Sequence, residues 1–291
     1  MEKREGQPDR ESEKRGKPAV SVLMSAYDPD EKQLLAAVDS IIGQTFRDWE
    51  MLLYDDGSCE KGRRSIRKAA SMDPRIRQVR GKKNQGLGHA MQALLPLAEG
   101  RYIARMDADD LSRPERFLRQ YTFLSEHPGY QWVGSNAELM DGAGVWGARK
   151  MPRVPKKEDF LNYSPYIHPS VMFRREVLEA CGGYRPSRKG EDYELFMRLH
   201  AEGYQGYNLQ ENLFCYRENR KKCPHLDYVC QMEEVGIRYR GFRDLGILSV
   251  QTLPYVVKPL LVGLVPGETL AAVKQRTRNE MYVAGYRRSQ V

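Results

Sequence analysis

The chain has 291 residues, 41% of them hydrophobic and 30% charged, and a formal net charge of +8 at pH 7. These values exclude an intrinsically disordered chain and are typical of a folded protein with a sizeable core. The 5 cysteines are odd in number and form no CxxC pair, which argues against a disulfide framework and favours a reducing, cytoplasmic compartment. From Asn212 onward there are 13 Lys/Arg and 7 Asp/Glu, and this surplus of 6 supplies most of the net charge.

The N-terminal segment, residues 1–18, holds 6 basic and 5 acidic residues and no apolar run. A segment with so little apolar surface cannot offset the entropy of ordering its backbone. We therefore predict a disordered tail, and the missing apolar run excludes a secretory signal.

From residue 19 onward, apolar runs alternate with helical repeats. The pattern predicts strands at 19–27, 49–58, 76–80 and 101–107, with helices at 30–46, 59–72 and 86–100 between them. Asp30 is placed to cap the first helix. Alternation of this kind predicts a parallel sheet that is covered by helices on both faces.

Beyond residue 110 the pattern changes. It predicts a helix at 113–128, mixed or antiparallel strands at 132–148, a strand and a helix within 168–184, and a helix at 190–204 with an acidic first turn.

Polar side chains lie at the carboxyl ends of three of the predicted parallel strands. Tyr27 lies at the end of the first strand, Asp55–Asp56 at the end of the second and Asp107–Asp109 at the end of the fourth. Ligands of such sheets bind at the carboxyl ends of the strands. These separate stretches are therefore expected to form a single site.

The stretch "MDADD" places Asp107 and Asp109 two residues apart. If the chain stays extended there, both side chains point the same way, and two ionised carboxylates so close repel each other unless a cation joins them. Mg²⁺ is typically held by one or two carboxylates together with substrate phosphates. The alternative is a solvated acidic turn in which Asp110 caps the following helix, and the tripeptide alone leaves both interpretations open.

Several motifs occur in a characteristic order: "VLMSAY", "YDDGS", "NQGL", "RYIARMDADDLSRPERF", "HPSVMF" and "GEDYELFMRL". Together, over residues 19–215, they resemble a family 2 glycosyltransferase with the GT-A fold. The resemblance implies a mostly parallel, Rossmann-like α/β sheet with helices on both faces. It also implies inverting transfer of a sugar from a nucleotide sugar, commonly a UDP-sugar, to a hydroxyl of a saccharide or lipid-linked acceptor in polysaccharide or glycolipid synthesis.

On the donor side, the resemblance implies a role for each matching residue. Ser25 and Tyr27 would border the base, and Asp56 would accept a hydrogen bond from its ring N–H, a contact that discriminates between bases. The segment containing Asn84 and Gly86 would pass near the nucleotide. The acidic motif would have Asp107 approach the ribose and the metal, and Asp109 bind Mn²⁺ or Mg²⁺ directly.

On the acceptor side, the resemblance assigns the general base to Asp192, with Glu191 beside it. A position near a helix N-terminus favours an ionised carboxylate there. His168 is expected either near the acceptor or the diphosphate, or as a structural histidine. The family usually has Asn where this chain has Asp28, which leaves the contacts of the first loop open.

Three other functional interpretations fit the sequence less well. A dinucleotide fingerprint beginning at Gly86 and Gly88 is incomplete, because Met91 stands where the third glycine belongs. A sugar-phosphate nucleotidyltransferase shares the fold and the metal, but its usual Gly-rich basic loop after the first strand is missing. No basic–aromatic stripe or zinc pattern favours a nucleic-acid-binding module, so we expect no nucleic-acid partner.

We accordingly predict a catalytic domain at 19–215, with a nucleotide-binding half (19–110) and an acceptor half (111–215), and a basic helical extension at 216–291. Within the extension, residues 245–265 carry a single charge, Lys258. Three interpretations remain: a membrane span, which the prolines in the segment disfavour; an anchor lying on anionic lipid at the inner face of the plasma membrane; or helices packed on the catalytic domain.

Overall fold

A computed structural model describes residues 16–218 and 228–263. The strands in these ranges are β1 (Val20–Ala26), β2 (Trp49–Asp55), β3 (Ile76–Arg80), β4 (Tyr102–Asp107), β5 (Leu111–Ser112), β6 (Trp132–Asp141), β7 (Gly144–Arg149), β8 (Met172–Arg174) and β9 (Gly206–Arg217). The helices are α1 (Glu31–Ile42), α2 (Glu60–Ala70), α3 (Leu87–Leu94), α4 (Arg116–Glu126), α5 (Arg175–Ala180), α6 (Glu191–Ala201), α7 (Tyr228–Asp244) and α8 (Leu253–Gly263).

All the strands belong to one sheet, in the order β3-β2-β1-β4-β8-β6-β9-β5, with β7 paired to β6. Strands β3, β2, β1 and β4 run parallel to one another. Strand β8 is antiparallel to both β4 and β6, and β9 is parallel to β6. The predicted parallel first half and mixed second half are both confirmed. The sheet is continuous across residue 110, and the division into two halves stays a prediction.

Two apolar clusters cover the two faces of the sheet, because successive strand residues point to opposite faces. In β1, Leu23 joins one cluster, and Val22 and Met24 join the other. Helices α1, α2 and α4 pack on the Val22 face, and α3, α5 and α6 on the Leu23 face. Helices on both faces confirm the predicted α/β architecture.

Residues 228–263 form two helices, of which α7 packs on α6 and α8 packs on α7. Arg238 of α7 is buried, pairs with Glu234, and donates to the carbonyls of Leu161 (3.1 Å) and Tyr255 (3.3 Å). Ile237, Phe242 and Val256 extend the apolar cluster that contains α6.

Part of the apolar surface of α7 and α8 is thus buried in the cluster that contains α6. Within 16–218 and 228–263, no helix has the length and apolar character needed to cross a bilayer. Residues 1–15 of the predicted tail and the last two residues of the segment 245–265 lie outside the described ranges.

Candidate functional site

The carboxyl ends of β1, β2 and β4 lie side by side, as the sequence predicted. Ser25 is opposite both Tyr54 and Asp107, and Ala26 is opposite Asp55. Parallel pairing in this register brings the residues that follow each strand to one edge of the sheet. Tyr27 is 53% exposed there, so its ring has a face free for a ligand.

The acidic motif forms a cluster of three carboxylates. One oxygen from each of Asp107, Asp109 and Asp110 lies within 4.8 Å of the other two. The chain turns at residues 108 and 109 and is not extended there, which corrects the predicted geometry. The turn is what brings Asp110 into the cluster.

Asp110 does not cap a helix, so that alternative is wrong. Strand β5 follows Asp110, and α4 begins only at Arg116 after Glu115. Asp110 is buried, and its Oδ1 accepts a hydrogen bond from the backbone N–H of Arg217 (2.6 Å). A buried carboxylate held in this way belongs to the site.

The electrostatics of the cluster fit a divalent cation. Desolvation, followed by the charge of Asp107, raises the pKa of both Asp109 and Asp110. Asp110 Oδ2 is buried without a hydrogen-bond partner in the described chain. Convergent carboxylate oxygens that repel one another are the donors that Mg²⁺ and Mn²⁺ prefer.

Asp56 organises the loop after β3. Its Oδ1 accepts from the N–H of Gln85 (3.0 Å) and its Oδ2 from the N–H of Gly86 (2.9 Å). The side chain of Asn84 also accepts from Gly86 N–H, at 3.2 Å. Gly86 has a φ of 87°, which favours glycine. The structure thus brings Asp56, Asn84 and Gly86 together, and it adds a loop-holding function to the carboxylate of Asp56.

The departure from the family pattern at Asp28 has a local cause. Asp28 has a φ of 42°, a left-handed conformation that Asp and Asn tolerate better than most residues. Its Oδ1 accepts from the N–H of Cys59 (2.8 Å), directly before α2. A carboxylate at a helix N-terminus is favoured by the helix dipole, so the first loop keeps a defined contact.

The acidic pair at the start of α6 is half-buried. Gly190, with a φ of 82°, precedes the helix, and Glu191 and Asp192 are its first two residues. Burial and the charge of Asp192 raise the pKa of Glu191 to about 7. Burial also raises the pKa of Asp192, against the opposing effect of the Tyr193 N–H.

His168 has a structural partner. It is buried, and its Nε2 lies 2.8 Å from the hydroxyl of Tyr184. Burial and then the charge of Arg105 hold its pKa well below the usual value, so the ring is neutral. His168 is therefore close enough to feel the charge of Arg105, and Tyr184 already occupies one of its ring nitrogens.

Sequence reasoning missed Arg105. This arginine lies within β4, is 2% exposed, and its Nη1 forms an ion pair with Asp107 Oδ1. Its charge acts on Asp109, Asp110, Glu191 and Asp192 alike. The signal that was available is a charged residue inside an otherwise apolar strand, "YIARMD".

This sheet, with acidic clusters at its carboxyl edge, defines a transferase of the GT-A type. The family model "Glycosyl transferase family 2" matches residues 21–182. The chain belongs to glycosyl transferase family 2 and is a glycosyltransferase.

Similar proteins include EpsE of Bacillus subtilis, which is assigned as a glycosyltransferase. It is 34% identical to this chain over 90% of this chain and 96% of its own length. The Escherichia coli UDP-Gal:alpha-D-GlcNAc-diphosphoundecaprenol beta-1,3-galactosyltransferase is 28% identical over 86% of this chain and 92% of its own.

Two solved structures share the fold. S. aureus TarS 1-349 in complex with UDP-GlcNAc has a TM-score of 0.63 and 15% identity, covering 93% of this chain and 92% of that one. The mannosyltransferase PcManGT from Pyrobaculum calidifontis, in complex with GDP-Man and Mn2+, has a TM-score of 0.56 and 16% identity, covering 92% and 81%. At these identities the likeness concerns the fold alone.

Proposed function

We propose that this chain is an inverting, metal-dependent glycosyltransferase of polysaccharide or glycolipid synthesis. It would move a sugar from a UDP-sugar to a hydroxyl of a saccharide or lipid-linked acceptor. The observation that carries the proposal is the arrangement of two acidic groups around Arg105: the cluster at the end of β4 and the pair at the start of α6. A galactosyltransferase with a UDP-sugar and a lipid-diphosphate acceptor in its name, similar over 86% of the chain, supports the donor and acceptor classes.

The donor side would be formed by residues 19–110. Tyr27 offers an exposed ring beside the base, next to Ser25 on β1. Asp56 holds the 84–86 loop, and each of its oxygens keeps a lone pair with which it can also accept the ring N–H of a uracil. These contacts would orient the nucleotide at the edge of the sheet.

The cluster of Asp107, Asp109 and Asp110 would hold Mn²⁺ or Mg²⁺. The fit rests on three convergent oxygens within 4.8 Å and on the unpartnered Oδ2 of Asp110. When bound, such an ion stabilises the negative charge that develops on a leaving diphosphate. The Mn2+ complex of a mannosyltransferase of similar fold supports this choice of cofactor.

The acceptor side would be formed by residues 111–215, with Asp192 as the general base that takes the proton from the acceptor hydroxyl. Burial raises the pKa of Asp192 and so makes it a better proton acceptor than an exposed aspartate. A general base on the acceptor side and a leaving diphosphate on the donor side fit a direct displacement with inversion. Glu191 would lie beside the base, and His168 would contribute to the wall of the acceptor site.

The test begins with a screen of nucleotide sugars for thermal stabilisation in the presence of Mn²⁺, because a ligand of the native state raises the unfolding midpoint. With the donor identified, Asp109→Ala and Asp192→Asn are each expected to lower metal-dependent UDP release by about 10²–10⁴-fold. The control is Asp48→Asn, an exposed aspartate just before β2 at the opposite edge of the sheet.

Full activity in Asp192→Asn would remove the base assignment, and release of pyrophosphate from a nucleoside triphosphate would favour the nucleotidyltransferase instead. No observation on the described residues favours that second activity.

We also propose a peripheral contact with anionic lipid at the cytoplasmic face of the membrane. Leu253, Val257 and Leu261 recur every fourth residue of α8 and are 43%, 39% and 57% exposed, and Val250, just before the helix, is 84% exposed. Residues at this spacing share one helix face. Exposed Arg240 of α7 supplies positive charge on the adjoining helix, where Arg243 is paired with Asp244. Exposed apolar residues next to basic ones fit the surface of an anionic bilayer.

A further inference from the structure

Arg105 is a buried cation whose contacts do not satisfy it. It lies opposite Leu23 in the centre of the sheet and is 2% exposed. Its Nη1 pairs with Asp107, but its Nε is buried without a hydrogen-bond acceptor in the described chain. A buried guanidinium is costly unless other charges compensate for it. Its surroundings must therefore provide that compensation through charge.

The compensating charges come from both sides of the site. The charge of Arg105 acts on the carboxylates of Asp109 and Asp110, which follow β4, and on those of Glu191 and Asp192, which begin α6. Burial is the largest single effect on the pKa of Arg105 and disfavours the charged guanidinium, but the charge of Asp107, its hydrogen bond and the charge of Glu191 together raise the pKa. One permanent positive charge thus acts on two separate groups of carboxylates.

The other arginine at the cluster is placed differently. Arg217 lies at the end of β9, and its Nε donates to the backbone carbonyl of Asp109 at 2.7 Å. That hydrogen bond fixes the backbone of the turn. Arg105, in contrast, pairs with a carboxylate of the cluster, that of Asp107.

We propose that Arg105 is a positioning residue of the transfer site. Its ion pair fixes the Asp107 carboxylate, and its charge holds the donor-side aspartates and the acceptor-side pair, Glu191 and Asp192, in place before donor and metal bind. The inference rests on the proposed function of these carboxylates. It has a further consequence: a resident cation repels a second one, so Arg105 lowers the metal affinity of the cluster while it preserves its geometry.

The first experiment is a double-mutant cycle in EDTA, which needs neither metal nor substrate. Urea unfolding is measured for the wild type, Arg105→Met, Asp107→Asn and the double variant. Methionine retains length and apolar packing but removes the charge. We expect the double variant to lose less stability than the two single variants lose together. The difference, which is the coupling between Arg105 and Asp107, should be at least about tenfold in the unfolding equilibrium constant.

Additive effects, with a coupling below about twofold, would overturn the proposal, because Arg105 would then act through packing alone. If Arg105→Met does not fold, recovery of a folded protein in the double variant supports the ion pair, and an unfolded double variant contradicts it. The Arg105→Lys variant, which retains the charge, is expected to lie between the wild type and Arg105→Met.

The second experiment measures Mn²⁺ binding in the presence of UDP, from the loss of the electron paramagnetic resonance signal of free Mn²⁺. We expect Arg105→Met to bind Mn²⁺ about tenfold more tightly than the wild type, because one repelling charge has been removed. The control Arg119→Met removes an exposed arginine of α4 that pairs with Glu211, and should leave the affinity unchanged. Weaker binding in Arg105→Met would mean that loss of carboxylate positioning outweighs the removed repulsion, and that result would overturn the electrostatic part of the proposal.

The two experiments separate the proposals. A wild-type protein that binds no Mn²⁺ contradicts the metal in the proposed function, and the double-mutant cycle alone then decides the role of Arg105.

Discussion

Burial affects the pKa of Glu191 at this site more strongly than its position at a helix N-terminus does. Glu191 and Asp192 are the first residues of α6, where the helix dipole favours the ionised form. Desolvation nevertheless outweighs the dipole, and the pKa of Glu191 rises to about 7. A carboxylate with this pKa exchanges its proton near neutral pH, so the pair at the start of α6 is suited to proton transfer.

Glu191→Gln should stabilise the protein at alkaline pH. The folded pKa of about 7 exceeds the unfolded value near 4.5, so the native state binds the proton more tightly. The contribution of protonated Glu191 to wild-type stability is therefore fully present below pH 4.5 and is lost as pH rises through 7. In EDTA at pH 8 the variant is expected to be more stable by up to about 3 kcal/mol, at about 1.4 kcal/mol per pKa unit.

The measurement is urea unfolding from pH 5 to pH 8, and the advantage of Glu191→Gln should shrink as the pH falls. Glu202→Gln, which changes an exposed carboxylate just after α6, is the control and should stay within about 0.5 kcal/mol of the wild type. A constant difference between Glu191→Gln and the wild type would show that burial does not shift this pKa.

At the residue scale, the sequence identified the acidic groups but not what joins them. Asp107 and Asp109 could be assigned only through the resemblance to a family, because the tripeptide alone fits both a metal site and a solvated acidic turn. The part played by Asp110 depends on a turn at residue 108 that no propensity specifies, and its partner, Arg217, is distant in sequence. Arg105 could not be assigned, because a charge in a strand reveals nothing about the carboxylates that surround it in three dimensions.

At the scale of elements, the local signals were strong. Helix α1 begins directly after Asp30, whose side chain accepts from the N–H of Gln33 at 3.0 Å, which confirms the predicted N-cap. The predicted strand at 76–80 matches β3 residue for residue. Such elements could be predicted because caps, periodicity and turn residues act within a few positions of one another.

Asp30→Ala should destabilise the protein by about 1 kcal/mol, because the N–H of Gln33 then loses its acceptor. Asp30→Asn retains an acceptor oxygen and should cost only a few tenths of that, about 0.3 kcal/mol. Chemical denaturation with an unchanged slope distinguishes the two. Equal losses in both variants would assign the effect to the charge of Asp30, and the hydrogen bond would then contribute little.

At the scale of the whole molecule, only the parallel half of the sheet could be foreseen in detail. Strands β1 to β4 follow from alternation along the chain, but β9 enters between β6 and β5 from the far end of the domain. Such pairing depends on contacts between distant residues, which a periodic pattern does not encode. Packing of the C-terminal helices on the rest of the chain was one of three alternatives. The structure places α7 on α6 and α8 on α7, and buried Arg238 donates to Leu161 and Tyr255, while one face of α8 stays exposed.

That surface leads to the last prediction. Val257 and Leu261 are exposed on one face of α8. The wild type should float with vesicles that contain phosphatidylglycerol and not with pure phosphatidylcholine, because apolar insertion and attraction to anionic lipid are both required. The Val257→Asp/Leu261→Asp variant should remain unbound, since carboxylates are repelled by the same surface. Val145→Asp, at an exposed apolar position of β7 away from these helices, should float as the wild type does. Equal flotation of all three proteins would contradict a role for the α8 face, and a wild type that binds neither vesicle would contradict the lipid contact itself.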